Sequence, residues 1–164
     1  MTIILKNKVT LKFDDFYFKC SIGAKGLTKK KIEGDKKTPI GKFSLGNLFY
    51  REDRNSKPQT QLKCIKIKKK MGWCDDIKNK NKYNKLIRVS KKIRHEKLYR
   101  RDRIYDFMIP INYNTENIKL GKGSAIFLHL TNNFKPTLGC IAISKKDFLI
   151  LLKIINKKTM IEIF

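Results

Sequence analysis

At 164 residues the chain is long enough to bury one real core and short enough to be a single domain spanning 1–164. It carries 39 Lys+Arg against 14 Asp+Glu, a formal charge of +25, yet 41% of its residues are hydrophobic, including ten Phe and six Tyr. That apolar content excludes a disordered polyelectrolyte, and no apolar run approaches the ~20 residues of a bilayer span.

In chain order, TIILK, VTLKF and FYFKCSI alternate apolar and polar residues and predict three strands separated by NK and DD turns. KKIEGDKKTPIGKFSL reads as a glycine- and proline-punctuated loop leading into a strand around 43–48. LKCIKIKKK alternates again and predicts a half-exposed strand, while CDDIKNKNKYNK reads as a polar loop. IYDFMIPINYN, SAIFLHL and CIAIS are short, apolar and β-branched, as inner strands are. Ser144 and Asp147 form a capping start, and Phe148, Leu149, Leu151, Leu152 and Ile155 then follow at helical spacing, predicting one helix over about 145–157. TMIEIF closes as a strand. The expected class is mainly β, a sandwich or barrel with one late helix.

The charge does not concentrate in an arm. KKKIEGDKK, IKIKKKMG, IKNKNKYNK and SKKIRHEK spread it along the chain, which favours solvated faces with nonspecific attraction for polyanions. A basic nucleic-acid-binding protein without catalysis is the alternative, and it predicts a steep salt dependence. Cys20, Cys64, Cys74 and Cys140 contain no C-x-x-C pair, so free thiols are expected, with no metal and no cofactor. The opening MTIILKNKVT lacks the apolar segment of a signal peptide, so the sequence alone reads as cytoplasmic.

The stretch IFLHLTNNFKPTLGCIAIS holds His129 at the end of one strand and Cys140 at the start of the next. A cysteine becomes nucleophilic when its thiolate is stabilised below the free value of about 8.5. Gly139 permits a sharp turn that brings main-chain N–H groups toward a developing oxyanion. From the residues alone Cys140 is either that nucleophile or a small core residue.

The stretches IEGDKKTPIGKFSL, YREDR, GWCDDIKNKNKYN, HEKLYRRDRIYD, GKGSAIFLHL and PTLGCIAIS, in this order, resemble a compact branch of the L,D-transpeptidase catalytic domain family, the YkuD-like proteins. The resemblance implies a β-rich domain whose cysteine forms a thioester with peptidoglycan stem peptides and passes the acyl group to an amine. Hydrolysis at the same site, as in an L,D-carboxypeptidase or endopeptidase, is the alternative within the class. It implies Cys140 as nucleophile, His129 as base, the N–H groups around Gly139 and Cys140 as oxyanion hole, a main-chain carbonyl orienting the imidazole, and a place in the cell envelope. Typical members carry a polar residue at the position of Leu138 and an arginine at that of Ala142.

Thr137 matches the motif's Ser/Thr position and reads equally as a lining residue or a turn residue. Arg51, Arg54, Arg100 and Arg101 are candidates for a substrate carboxylate, which a planar guanidinium suits. Trp73 could stack on substrate or pack at a cleft wall, and core or rim packing is the alternative. Glu33, Gly34 and Asp35 read as a turn near the cleft, Asp75 and Asp76 as a polar turn, and His95 as a packing or surface residue.

Overall fold

The alternation of the first 21 residues becomes a three-strand meander: β1 Thr2–Asn7, β2 Thr10–Phe13 and β3 Phe16–Ser21, paired antiparallel. The computed structural model describes the whole chain, Met1–Phe164. Further along come β4 Leu27–Thr28, β5 Thr38–Pro39, β6 Gly41–Ser44, β7 Leu48–Tyr50, β8 Cys64–Lys66, β9 Met71–Cys74, β10 Leu86–Arg88 and β11 His95–Lys97. The last third holds β12 Phe107–Pro110, β13 Phe127–Leu130, β14 Ile141–Ile143, α1 Lys145–Ile154 and β15 Met160–Ile163.

Ten strands form one sheet in the order β6-β15-β1-β2-β3-β14-β13-β12-β7-β8. Ile161 and Leu48, from its two wings, share a core cluster with Phe148 and Leu151 of the helix, so the sheet wraps around α1. The class is therefore mainly β with a single late helix, as the periodicity predicts. Ser144 caps α1, its hydroxyl accepting from Asp147 N at 3.1 Å. The helix buries Phe148, Leu151 and Leu152 and ends at Ile154, three residues before the apolar spacing suggests.

The central strands β12, β13 and β14 are buried at every position, and alternate residues face two different cores. Leu128, Leu130, Ile141 and Ile143 point to the helix side. Phe127, Met108 and Cys140 point the other way, into a smaller cluster with Phe49, Leu98 and Tyr105. Covering that second face is a separate sheet in the order β10-β9-β11.

Three expectations change. The strand around 43–48 is two strands at different places in the large sheet, β6 and β7, broken at Gly46, where a Cβ would lie 3.2 Å from the Pro110 ring. The region read as polar loop starts inside β9, and β10 and β11 follow it. Their sequences, LIR and HEK, are too short and too charged to show a period. LKCIKIKKK contributes only the three residues of β8.

Candidate active site

β13 and β14 run parallel and adjacent, with His129 in register with Ala142 and Leu128 with Ile141. Because side chains alternate, Phe127 and His129 lie on the same face as Cys140 and Ala142. Both His129 and Cys140 line one cleft of about 600 Å³. The ten residues between them, 130–139, therefore return the chain beside itself.

The loop that makes this return is pinned. Thr137 N donates to Ile22 O, and Ala24 N donates to Thr137 O, both at 2.9 Å. The Thr137 hydroxyl donates to Cys140 O at 2.6 Å and accepts from Gly139 N at 3.1 Å. Gly139 has φ +140, and a Cβ there would lie 2.9 Å from Lys37 O, so only glycine fits. With Gly139 N–H engaged by Thr137, the Cys140 N–H is the main-chain donor beside the thiol that makes no hydrogen bond within the protein.

His129 is 5% exposed, and its Nδ1 lies 2.8 Å from Leu130 O. That contact requires a proton on Nδ1 and leaves the lone pair on Nε2. The orienting group that side-chain identities could not reveal is thus the carbonyl of the next residue. Burial pushes the imidazolium down to about 4, opposed by the Leu130 carbonyl and reinforced by the Arg100 charge. Cys140 Sγ donates to Ala125 O and accepts from Phe127 N, each at 3.3 Å. Burial pushes the thiol up to about 12, with the Phe127 N–H acting in the opposite direction. The resting pair is a neutral thiol and a neutral imidazole.

Ala125 is itself held from below. Asn84 Oδ1 accepts from Ala125 N at 3.1 Å and from Trp73 Nε1 at 3.0 Å. Trp73 packs edge-on against Phe127 and Phe49 and does not line the cleft. Arg54 is also outside it: its guanidinium donates to the carbonyls of Arg100, Arg101 and Asp102 and pairs with Asp106 at 3.1 Å. Arg51 pairs with Asp53, donates to Arg100 O and stacks over Tyr99. These two arginines fasten the 99–106 loop, and that loop delivers Arg100, Asp102, Ile104 and Tyr105 to the cleft.

Arg100 and Thr137 do line the cleft, as do Glu33 and Gly34. Arg100 is bound by Asp102 through Nε and Nη2 and by Glu96 through Nη1 at 2.9 Å. Glu33 accepts from the hydroxyls of Tyr83 and Ser124. Asp75 pairs with Arg94 at the rim, and His95 packs in β11 with Nδ1 at 2.7 Å from Ile93 O. Sequence reasoning missed Tyr105, whose ring meets His129 edge-on at 5.3 Å, and Glu96 and Lys31. Nothing in their local sequence marks them.

The cleft differs from the rest of the surface in charge. Its lining has four basic residues, Lys31, Arg94, Arg100 and Lys135, and four acidic ones, Glu33, Asp75, Glu96 and Asp102. In a chain with 39 basic and 14 acidic residues that balance sets the cleft apart, and within it Arg94 pairs with Asp75 and Arg100 with Glu96 and Asp102.

Residues 1–163 match the model of the L,D-transpeptidase catalytic domain family, YkuD. The chain belongs to this family. It is also similar to the helical cell shape determining protein Pgp2 from Campylobacter jejuni, at 21% identity and a TM-score of 0.49, over 99% of this chain and 46% of that one. It thus spans less than half the length of that relative. No curated protein matches the sequence.

Against the family pattern, Leu138 and Ala142 acquire definite places. Leu138 is 73% exposed on the cleft rim. Ala142 is buried, in register with both His129 and Ser21, so its methyl group forms part of the cleft wall beside the imidazole.

Proposed function

We propose that this chain is a cysteine acyltransferase acting on peptidoglycan stem peptides through a thioester on Cys140. The observation that carries the reading is the shared cleft of Cys140 and His129, with the His129 tautomer fixed by Leu130 O. The charge-balanced lining adds support, since a stem peptide or muropeptide fragment carries amines and carboxylates together.

In the proposed reaction the scissile carbonyl enters beside Cys140. His129 Nε2 accepts the thiol proton as sulfur attacks, which avoids building a free thiolate in a site that disfavours one. The Cys140 N–H receives the oxyanion. The tetrahedral species collapses when the imidazolium returns its proton to the leaving amine, giving a thioester. An acceptor amine then attacks the thioester, His129 again removes the proton, and Cys140 leaves as the thiol. With water as acceptor the same steps give hydrolysis. Arg100, with two carboxylates already on it, and Thr137 line the path of the substrate, and Leu138 offers an apolar surface at its mouth.

The test is product mass spectrometry with defined tetrapeptide and pentapeptide muropeptides, with and without an added acceptor amine. Cross-linked or amine-exchanged products that vanish in Cys140→Ser support transfer. Shortened peptides alone assign the protein to the hydrolytic branch. Turnover that survives in Cys140→Ser sinks the reading.

A further inference from the structure

Three lysines stand in a row at 29–31, and only the third is buried. The Lys31 side chain is 3% exposed, while the apolar neighbour Ile32 is 59% exposed, the reverse of what hydropathy favours. Burying an ammonium is costly unless it is compensated, and two features of the chain accommodate it. Asp35 pairs with it, and Ile32 O accepts from its Nζ at 3.3 Å.

The route of the side chain is cleared by two glycines. At Gly123, φ +99, a Cβ would lie 2.6 Å from Lys31 Cγ and 3.2 Å from Cε. At Gly139, φ +140, the position of a Cβ is 3.6 Å from Lys31 Nζ. The stem therefore passes along Gly123 and brings the ammonium to the residue just before Cys140, at the wall of the cleft.

We propose that Lys31 is an electrostatic positioning residue, its buried ammonium favouring negative charge on Cys140 Sγ and on the oxyanion beside the Gly139–Cys140 peptide. The proposal rests on Cys140 being the nucleophile. The other groups around the thiol are Glu96 of β11, Tyr105, Arg100 and Asp102 of the 99–106 loop, and His129 of β13. Glu96 disfavours the thiolate and Lys31 favours it, so the two charges act on the sulfur in opposite directions. Asp35 cancels part of the Lys31 field. Removing either member of the Lys31–Asp35 pair breaks the same ion pair, but the two changes alter the charge near sulfur in opposite directions.

The experiment follows alkylation of Cys140 by iodoacetamide from pH 6 to 11, with peptide mapping to separate it from Cys20, Cys64 and Cys74. Lys31→Met, which keeps an unbranched stem past Gly123, should slow alkylation at pH 9 by about threefold to tenfold. It should also lower kcat on muropeptides with little change in KM. Asp35→Asn should speed alkylation by about twofold to threefold. If Lys31→Met does not fold, the direction found for Asp35→Asn decides. Rates that are unchanged in both variants, or shifted in the same direction, overturn the proposal. Flat alkylation profiles with turnover lost in Cys140→Ser refute the role of Lys31 alone, whereas turnover surviving in Cys140→Ser refutes the nucleophile on which it rests.

Discussion

A neutral, buried His129 has a consequence for stability that can be measured without substrate. The unfolded chain protonates this imidazole as pH falls through 6.5, whereas the folded protein resists until about 4 because burial disfavours the cation. The unfolded state therefore binds more protons throughout that window, so folding stability falls as pH drops through it. The contribution is whole above pH 6.5 and is gone below about 4, a loss of about 3 kcal/mol for the full displacement. His129→Asn retains an N–H donor for Leu130 O and cannot titrate. Urea unfolding of both proteins from pH 7.5 to 4.5 separates this group from the carboxylates they share. The wild type should lose about 2–3 kcal/mol more than the variant over that range. Parallel pH dependences within about 0.5 kcal/mol would refute a neutral resting imidazole.

Other substitutions probe the support beneath the pair. Gly139→Ala forces a methyl group to 2.9 Å from Lys37 O at φ +140, and steady-state assays should show at least a ~100-fold loss of turnover with a lowered Tm. Asn84→Ala leaves Trp73 Nε1 and Ala125 N without their acceptor and should cost about 2–3 kcal/mol in denaturant unfolding. It should also lower kcat more than it raises KM, because Ala125 O holds the thiol. Arg54→Ala strands Asp106, which is 1% exposed, and should destabilise the fold by about 3 kcal/mol. Arg100→Gln, whose partners are part-exposed, should change stability by less than about 1 kcal/mol while raising KM.

Much of the scaffold was legible because its strands obey a period. TIILK, VTLKF and FYFKCSI alternate, and SAIFLHL and CIAIS contain the continuous apolar runs AIFL and CIAI, as strands buried on both faces do. Ser144 and Asp147 announced the helix. The small sheet was not legible, since β10 and β11 are held by pairing with β9 and by the packing of Trp73 and Leu98 against Phe49 and Phe127 rather than by any pattern of their own.

The site divides in the same way. His129, Gly139 and Cys140 stand near each other in sequence, so a turn sufficed to bring them together on paper. The Leu130 carbonyl carries no side-chain signature, and Lys31, Glu96 and Tyr105 reach the cleft only through long-range packing. Arg54 and Trp73 have side chains suited to ligand contacts, but residue type does not say which way a side chain faces. One fastens a loop that carries cleft residues, and the other supports Phe127 from beneath.

The central claim is the acyl-enzyme on Cys140. Intact-protein and peptide mass spectrometry after brief exposure to a tetrapeptide muropeptide, quenched in acid, reads it directly. The account predicts a mass increase equal to the acyl donor on the Cys140 peptide of the wild type and none in Cys140→Ala. An adduct on another residue, or muropeptide turnover by Cys140→Ala at the wild-type rate, would contradict it.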